Sequence, residues 1–235
     1  MSNKPSLNPL LSRKNGASEI CLIRHGDALP GKETVIPGGS YDEQPLSQLG
    51  QRQAQALGNW LGNVPFEALY TSPLRRCQET AAPLARLQNL PVAIEENLRE
   101  VRLGLDVGGP GPHDEPGVTA RALRERLDEV VRRVGLEGKW SAIPGSEASE
   151  PFRHRVINII HEVAKRHPGQ RLAVFSHGGF INAYVAELLD LERDFFFPIH
   201  NTSVSIIRCQ GWQASLVSLN EIAHFRTGEV ELEPL

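Results

Sequence analysis

The sequence has 235 residues, of which 40% are hydrophobic and 23% charged, and this composition predicts a soluble globular fold with a sizeable core. The formal net charge of −3 provides no basic field that would hold a nucleic-acid backbone. Acidic residues interrupt the local run of arginines, which favours a solvated helix face for Arg121, Arg124, Arg126, Arg132 and Arg133.

Cysteine usage and the chain start bear on the compartment. Cys21, Cys77 and Cys209 lie far apart and form neither a disulfide framework nor a metal-type CxxC spacing, which favours a reducing compartment. No stretch approaches the length of a transmembrane helix, and residues 1–18 lack the apolar block of a signal peptide. We therefore predict a loose tail over residues 1–18, a cytoplasmic location, and neither a membrane nor a nucleic acid as partner.

Apolar runs and helical patterns alternate along the first part of the chain. Residues 19–24 form a nearly continuous apolar run, typical of a strand buried on both faces. A loop rich in glycine and proline follows over residues 27–45, after which Ser47 can cap a helix. Residues 68–71 predict a second strand, and Ser72, which is followed by proline, predicts the cap of the next helix.

The remainder of the chain continues this alternation. Residues 92–94 and 171–176 predict strands, residues 119–134 and 151–167 predict helices, and residues 203–219 predict a hairpin. Strands alternating with helices predict an α/β fold, here a three-layer α/β/α sandwich with a mostly parallel mixed sheet. We expect a single domain over residues 19–235, with long loops at residues 27–45, 103–117 and 190–201.

Two histidines share one position relative to the predicted strands. His25 and His177 each follow directly on an apolar strand and directly precede glycine. Ligands of open α/β sheets bind beyond the carboxyl ends of the strands, so both imidazoles would enter one pocket if their strands are neighbours. Arg24 brings a cation to the same edge, and Arg75 and Arg76 begin the helix after residues 68–71. Because guanidinium groups match phosphate oxygens, this set of residues predicts a phosphoryl site.

The segments around these residues resemble the motifs of the histidine phosphatase (phosphoglycerate mutase-like) superfamily. Residues 22–26, Leu-Ile-Arg-His-Gly, resemble its RHG signature. Five further segments follow in the family's order: residues 71–81 (SxLxRAxxTA, with Cys77 where alanine is usual), 98–100 (LxE), 175–179 (SHGG), 201–205 (NxS) and, more loosely, 220–224 (NxxxH). The RHG triplet alone is weak evidence, whereas the ordered set over residues 19–224 is strong.

The resemblance implies a phosphoglycerate mutase-like fold and a phosphatase that needs neither metal nor cofactor. His25 would attack phosphorus and hold the phosphoryl group covalently. Arg24, Arg76 and His177 would bind the phosphoryl oxygens, and the motif register leaves Arg75 as a surface residue. Glu100 would act as general acid and then as general base.

The sequence departs from the family pattern around the acid. Asp27 stands where many relatives have glutamate, and the segment after Glu100 lacks the usual tryptophan-glutamate-glycine stretch. Asp27 or Glu33 is therefore an alternative proton donor. Accessory roles are predicted for Asp27, Asn201 and Arg102. The three long loops should shape the leaving-group pocket, with Tyr41, Arg102, His113 and His200 as candidate contacts.

Three other functions remain open on the sequence. A phosphoglycerate mutase is disfavoured because residues 26–44 lack the longer, asparagine- and tryptophan-containing segment of the family's mutases. A metallohydrolase is disfavoured because Lys165 occupies the second ligand position of the HExxH-like segment that begins at His161. A phosphate-binding module without turnover is the third. The substrate could be a small phosphomonoester, a sugar phosphate or a phosphoprotein, and the oligomeric state is undetermined.

Overall fold

The structure is a computed structural model and describes residues 4–36, 41–42, 44–104 and 117–227. Within these ranges the strands are β1 (Ser6–Leu7), β2 (Ser18–Arg24), β3 (Val35–Ile36), β4 (Ala68–Thr71), β5 (Val92–Ile94), β6 (Val118–Thr119), β7 (Arg171–Ser176), β8 (Val204–Gln210) and β9 (Gln213–Glu221). The helices are α1 (Gln48–Leu61), α2 (Arg75–Gln88), α3 (Ala120–Glu137), α4 (Ser149–Arg166) and α5 (Gly178–Leu188).

The central sheet has seven strands in the order β1-β9-β8-β2-β7-β4-β5, and β8 alone among them runs antiparallel to the rest. Strand β2 pairs in parallel with β7, with Arg24 opposite Ser176. The residues that follow, His25 and His177, therefore leave the sheet side by side at its carboxyl edge, as the position of the two histidines predicts.

Alternate residues of the strands enter two separate cores. Ile20 and Leu22 of β2 pack in the core on the side of α4 and α5, whereas Cys21 and Ile23 pack in the core on the side of α1 and α2. A strand buried on both faces must be apolar at successive positions, which explains the continuous run in the sequence. The predicted three-layer α/β/α sandwich with a mostly parallel mixed sheet is confirmed.

Of the two serines predicted to cap helices, Ser47 does so and Ser72 does not. Ser47 caps α1 as predicted, and its side chain accepts a hydrogen bond from the backbone N–H of Gly50. Ser72 does not cap α2, which starts at Arg75 after Leu74. The hydroxyl of Ser72 accepts the N–H of Leu74 over 3.3 Å and also lies 2.9 Å from Nε2 of His177. The predicted cap was wrong because the helix begins two residues later than Pro73, with Leu74 in the cap position.

The N-terminal segment also differs from the prediction of a loose tail. Residues 6 and 7 form β1, which pairs in parallel with β9, and Leu11 and Ala17 are buried. The apolar content of this segment is too low to predict such docking, which also depends on contacts with residues distant in sequence, such as the hydrogen bond between Asn8 and Gln213. The single-domain division of the chain stays a prediction.

The predicted loops are only partly irregular. Residues 190–201 contain no helix or strand, as predicted. Strand β3 lies inside the predicted 27–45 loop and pairs with β6, which the sequence analysis missed because both strands have two residues. Most of the predicted 103–117 loop, including His113, lies outside the described residues.

Gly50 in α1 allows the loop after β2 to contact this helix directly. A Cβ atom at Gly50 would lie 1.9 Å from the carbonyl oxygen of Asp27, so Gly50→Ala must push helix and loop apart. We expect this variant to lose about 1–3 kcal/mol of unfolding free energy in urea denaturation. In the control Gly135→Ala on α3, the Cβ would meet no atom within 4 Å, and stability should stay unchanged or rise by about 0.5–1 kcal/mol. Equal stabilities of the two variants would contradict the close approach.

Candidate active site

His25 is held in an orientation that suits a nucleophile. Its ring is buried, with 3% of the residue exposed, and Nδ1 lies 2.7 Å from the carbonyl oxygen of Gly26. Because a carbonyl can only accept, Nδ1 carries the proton and Nε2 keeps its lone pair. Burial, reinforced by the charges of Arg76 and Arg24, lowers the pKa of His25 well below its usual value of 6.5. His25 is therefore neutral at physiological pH.

Two guanidinium groups accompany His25. Arg76 is 1% exposed, donates to the carbonyl of Tyr41 over 2.9 Å and lies over the Tyr41 ring at 4.4 Å from its centroid. Arg24 is half-buried and donates to the carbonyl of Ile199. Within the described residues, Nε of each arginine is buried and has no hydrogen-bond partner. Buried N–H donors are rarely left unpaired, so both groups fit an oxyanion as acceptor.

His177 is fully buried behind His25, with the two ring centroids 5.2 Å apart. Nη2 of Arg76 lies 3.4 Å from Nδ1 of His177, and since arginine only donates, Nε2 carries the proton and donates to Ser72. Burial, followed by the charge of Arg76, lowers the pKa of His177 well below 6.5. Cys77 packs against the same ring, and burial raises the pKa of its thiol to about 12.

Glu100 lies at the cavity with both carboxylate oxygens bonded to backbone. Oε1 accepts the N–H of Val101 over 3.0 Å, and Oε2 accepts the N–H of Gly179 over 2.9 Å. Burial raises the pKa of Glu100 above its usual 4.5, although these two bonds and the nearby arginines oppose the rise. Gly179 is required here, because a Cβ would lie 2.6 Å from Oε1 of Glu100. The site thus combines a neutral imidazole, two cations and a carboxyl group that retains its proton to a higher pH than usual.

The sequence over these elements matches one family. The model of the histidine phosphatase superfamily (branch 1) matches residues 20–222, which span the strands, helices and site described above. This chain belongs to the histidine phosphatase superfamily. Its site residues lie in the motif segments from which the resemblance was inferred.

Relatives of this histidine phosphatase include phosphatases of similar length. Phosphoserine phosphatase 1 of Hydrogenobacter thermophilus is 28% identical over 220 residues, covering 92% of this chain and 97% of that protein. The metal-independent phosphoserine phosphatase of Arabidopsis thaliana is 27% identical over 213 residues, covering 88% and 83%. The crystal structure of a phosphoglycerate mutase from Bacillus anthracis superposes with a TM-score of 0.69, covering 91% of this chain and 97% of that one. At 21% identity, that last likeness shows the shared fold alone.

Not all the predicted accessory residues of this histidine phosphatase lie at the cavity. Asn201 lines the cavity and donates its amide to the carbonyl of His25 over 2.9 Å. Asp27 also lines it, but its carboxylate accepts from the Ser47 hydroxyl, which ties the loop to α1. Arg102 is exposed and does not line the cavity. Glu33 is paired with Arg121 on the surface.

A cavity of about 330 Å³ opens from His25 and Glu100. The 190–201 loop closes one side and is held by Asp194, which is 0% exposed, accepts from Nε of Arg153 over 2.6 Å and accepts from the backbone of Trp140 over 2.8 Å. The predicted contacts Tyr41 and His200 line the cavity, and so does one side of α3, including Arg124, which the sequence analysis assigned to a solvated face. His177 is not among the lining residues, so its role as a direct phosphate ligand stays a prediction.

The histidines considered for the metallohydrolase alternative are either hydrogen-bonded to other groups or exposed. Nδ1 of His161 lies 2.8 Å from the carbonyl of Gly211, and Nε2 lies 3.3 Å from the Tyr184 hydroxyl. His154 is exposed, as a solvated residue would be. In the described part of the chain, no three or more histidine, cysteine or acidic residues are grouped as metal ligands would be.

Ser72 is the site residue that sequence reasoning missed as such. It was interpreted as a helix cap, but its hydroxyl accepts a hydrogen bond from the Nε2–H group of His177 and thereby holds the orientation of the ring. The motif segment 71–81 contains this serine, so the signal was present in the sequence. What the segment does not give is the partner, which depends on the packing of β4 beside β7.

Proposed function

We propose that this histidine phosphatase hydrolyses small-molecule phosphomonoesters through a phosphohistidine on His25, with Glu100 as general acid and base. The observation that carries the proposal is the hydrogen bond from Nδ1 of His25 to Gly26, which leaves Nε2 unprotonated beside two arginines. A neutral imidazole and flanking cations suit phosphoryl transfer, which depends mainly on positioning and charge stabilisation.

In the first step, Nε2 of His25 attacks phosphorus, and the bond between phosphorus and the leaving oxygen breaks. The raised pKa of Glu100 keeps a proton available for that oxygen. Arg24 and Arg76 stabilise the charge on the remaining phosphoryl oxygens through their unpaired Nε–H groups. The products of this step are the free alcohol, the phosphohistidine and the Glu100 carboxylate.

In the second step, the Glu100 carboxylate takes a proton from water while the water oxygen attacks phosphorus. The bond between phosphorus and Nε2 breaks, which returns His25 to its neutral state and releases inorganic phosphate. The N–H groups of Val101 and Gly179 stabilise the carboxylate between the two steps. A histidine nucleophile divides one difficult displacement into two easier ones.

Trapping the intermediate tests this proposal directly. We expect acid-labile, alkali-stable phosphate on His25 when the enzyme is quenched in alkali during turnover of phenyl phosphate, with the site assigned by peptide mass spectrometry. The matched variant His25→Asn should carry no label, although its amide can still donate to the Gly26 carbonyl. Label on another residue, or turnover in His25→Asn, would refute His25 as the nucleophile.

Hydrolysis is favoured over mutase activity because residues 26–44 lack the segment expected of the family's mutases. Interconversion of 3-phosphoglycerate and 2-phosphoglycerate at a rate above hydrolysis would reverse this choice.

We place the reaction in the cytoplasm. Cys21, Cys77 and Cys209 are free and buried, which supports a reducing compartment. Among the described residues, the helices are too short or too polar to cross a bilayer. A small-molecule phosphomonoester is the proposed substrate, because the cavity is enclosed by the 190–201 loop and α3 on the side of the leaving group.

A further inference from the structure

Arg124 on α3 is a half-buried cation at the cavity with no partner in the described part of the chain. It lines the same cavity as His25, Arg76 and Glu100. Two other arginines of this helix are paired with acids: Arg121 lies 3.3 Å from Glu33, and Arg132 lies 2.6 Å from Glu129. Arg124 has no such contact, although an acidic residue, Asp128, lies one turn further along.

Exposure separates Arg124 from the other arginines that lack a partner. Among the other arginines whose side chains the structure describes, those with no hydrogen bond or ion pair at the guanidinium group are all exposed: Arg52, Arg86, Arg102, Arg126 and Arg133. Water satisfies an exposed guanidinium at little cost, but a half-buried one loses part of its hydration. A charged ligand group in the cavity would restore the lost interactions.

We propose that Arg124 determines specificity by binding an anionic group on the leaving portion of the substrate, a carboxylate or a second phosphate. This inference rests on the proposed function, in which the phosphoryl group to be transferred lies at His25. Arg24 and Arg76 serve that phosphoryl group, which leaves Arg124 for a second anion. The substrate class is therefore a phosphomonoester with at least two anionic groups.

The residues around Arg124 indicate the chemistry of the part of the substrate that connects its phosphoryl group to its second anionic group. Leu127 and Val131 of α3, together with Trp140 and Phe195, line the cavity with apolar surface. Asp128 also lines it but is exposed, so solvent and salt screen its charge more strongly than that of Arg124. The leaving group should thus place an apolar segment against α3, with its anionic group at Arg124.

Matched aryl phosphates test the proposal. Phenyl phosphate lacks a second anion, 3- and 4-carboxyphenyl phosphate place a carboxylate at two positions, and 1,4-phenylene bisphosphate places a phosphate there. For each enzyme variant we would measure the ratio of kcat/KM for an anionic probe to kcat/KM for phenyl phosphate. Intrinsic differences in leaving-group reactivity are common to all variants and cancel when these ratios are compared.

In Arg124→Gln the ratio should fall about tenfold or more for at least one anionic probe, as expected for loss of a hydrogen bond to a charged group. Arg124→Lys should restore part of it. The control Arg126→Gln, exposed on the same helix and away from this cavity, should keep the wild-type ratio. A fall for the carboxylates identifies a carboxylate as the anion, and a fall for the bisphosphate alone identifies a phosphate.

Unchanged ratios in Arg124→Gln for all the anionic probes would overturn the inference while leaving the phosphatase proposal intact. If the wild type hydrolyses none of the probes, the proposed function fails by itself. Calorimetric binding of benzylphosphonate and 4-carboxybenzylphosphonate then tests Arg124 without turnover. The affinity ratio of these two ligands should fall in Arg124→Gln, and an unchanged ratio would overturn the assignment.

Discussion

Replacing His25 with alanine should lower kcat for phenyl phosphate by about 10⁴-fold or more, because it removes the atom that accepts the phosphoryl group. Residual turnover would reflect binding by Arg24 and Arg76 alone. The measurement is steady-state phosphate release at saturating substrate, with circular dichroism to verify that the variant is folded. Binding of inorganic phosphate should persist, since both arginines remain.

Two variants sharpen this result. His25→Asn retains a donor for the Gly26 carbonyl and should be as inactive as His25→Ala. His154→Ala removes an exposed histidine of α4 and should retain wild-type activity. If the wild type turned over no faster than His25→Ala, the chain would be a phosphate-binding module of the same fold.

The activity of the wild type should fall on the alkaline side as Glu100 loses its proton. The acid form is the active one in the first step, and the fraction of this form decreases tenfold per pH unit above the pKa. Because burial raises the pKa of Glu100, the decline should lie at higher pH than the usual value of 4.5 predicts. The profile of kcat against pH measures this decline, with phenyl phosphate as substrate because its phenolate is a poor leaving group that needs the proton.

Glu100→Gln should reduce kcat on phenyl phosphate by about 10²–10⁴-fold and flatten that limb. With 4-nitrophenyl phosphate, whose leaving group needs no proton, phosphoenzyme should accumulate because the base for the second step is missing. Asp27→Asn and Glu33→Gln are the matched comparisons, since both carboxylates were alternative donors. A limb that persists in Glu100→Gln and disappears in Asp27→Asn would identify Asp27 as the acid.

Most of the central site was predictable because its residues are tied to local patterns. Apolar runs ending in Arg24-His25 and in Ser176-His177 predict strands, and the carboxyl-edge rule then brings both histidines together. The ring centroids of His25 and His177 are 5.2 Å apart, in agreement with that expectation. Arg76 was selected by motif register, and the structure buries it at the cavity that Arg24 and His25 also line, while its role in binding phosphate stays a prediction.

Other parts of the site depend on distances that no local pattern contains. The Ser72 hydroxyl accepts the N–H of the nearby Leu74, but its second partner, His177, is brought to it only by the packing of β4 beside β7. The sequence predicted an accessory role for Arg102 and a solvated position for Arg124. The structure reverses both, since Arg102 is exposed away from the cavity and Arg124 lines it on α3.

Local sequence patterns were sufficient to predict the layered α/β fold, the edge of the sheet where His25 and His177 lie, and the arginines that accompany them. These follow from periodicity and chain direction, which are properties of neighbouring residues. Packing of the folded chain was needed to reveal the docking of the first strand, the hydrogen bond between His177 and Ser72, the bond from Gly179 to Glu100, and the position of Arg124 at the cavity. Each of these depends on which groups approach across long chain separations, and burial and hydrogen bonding between such groups set their charge.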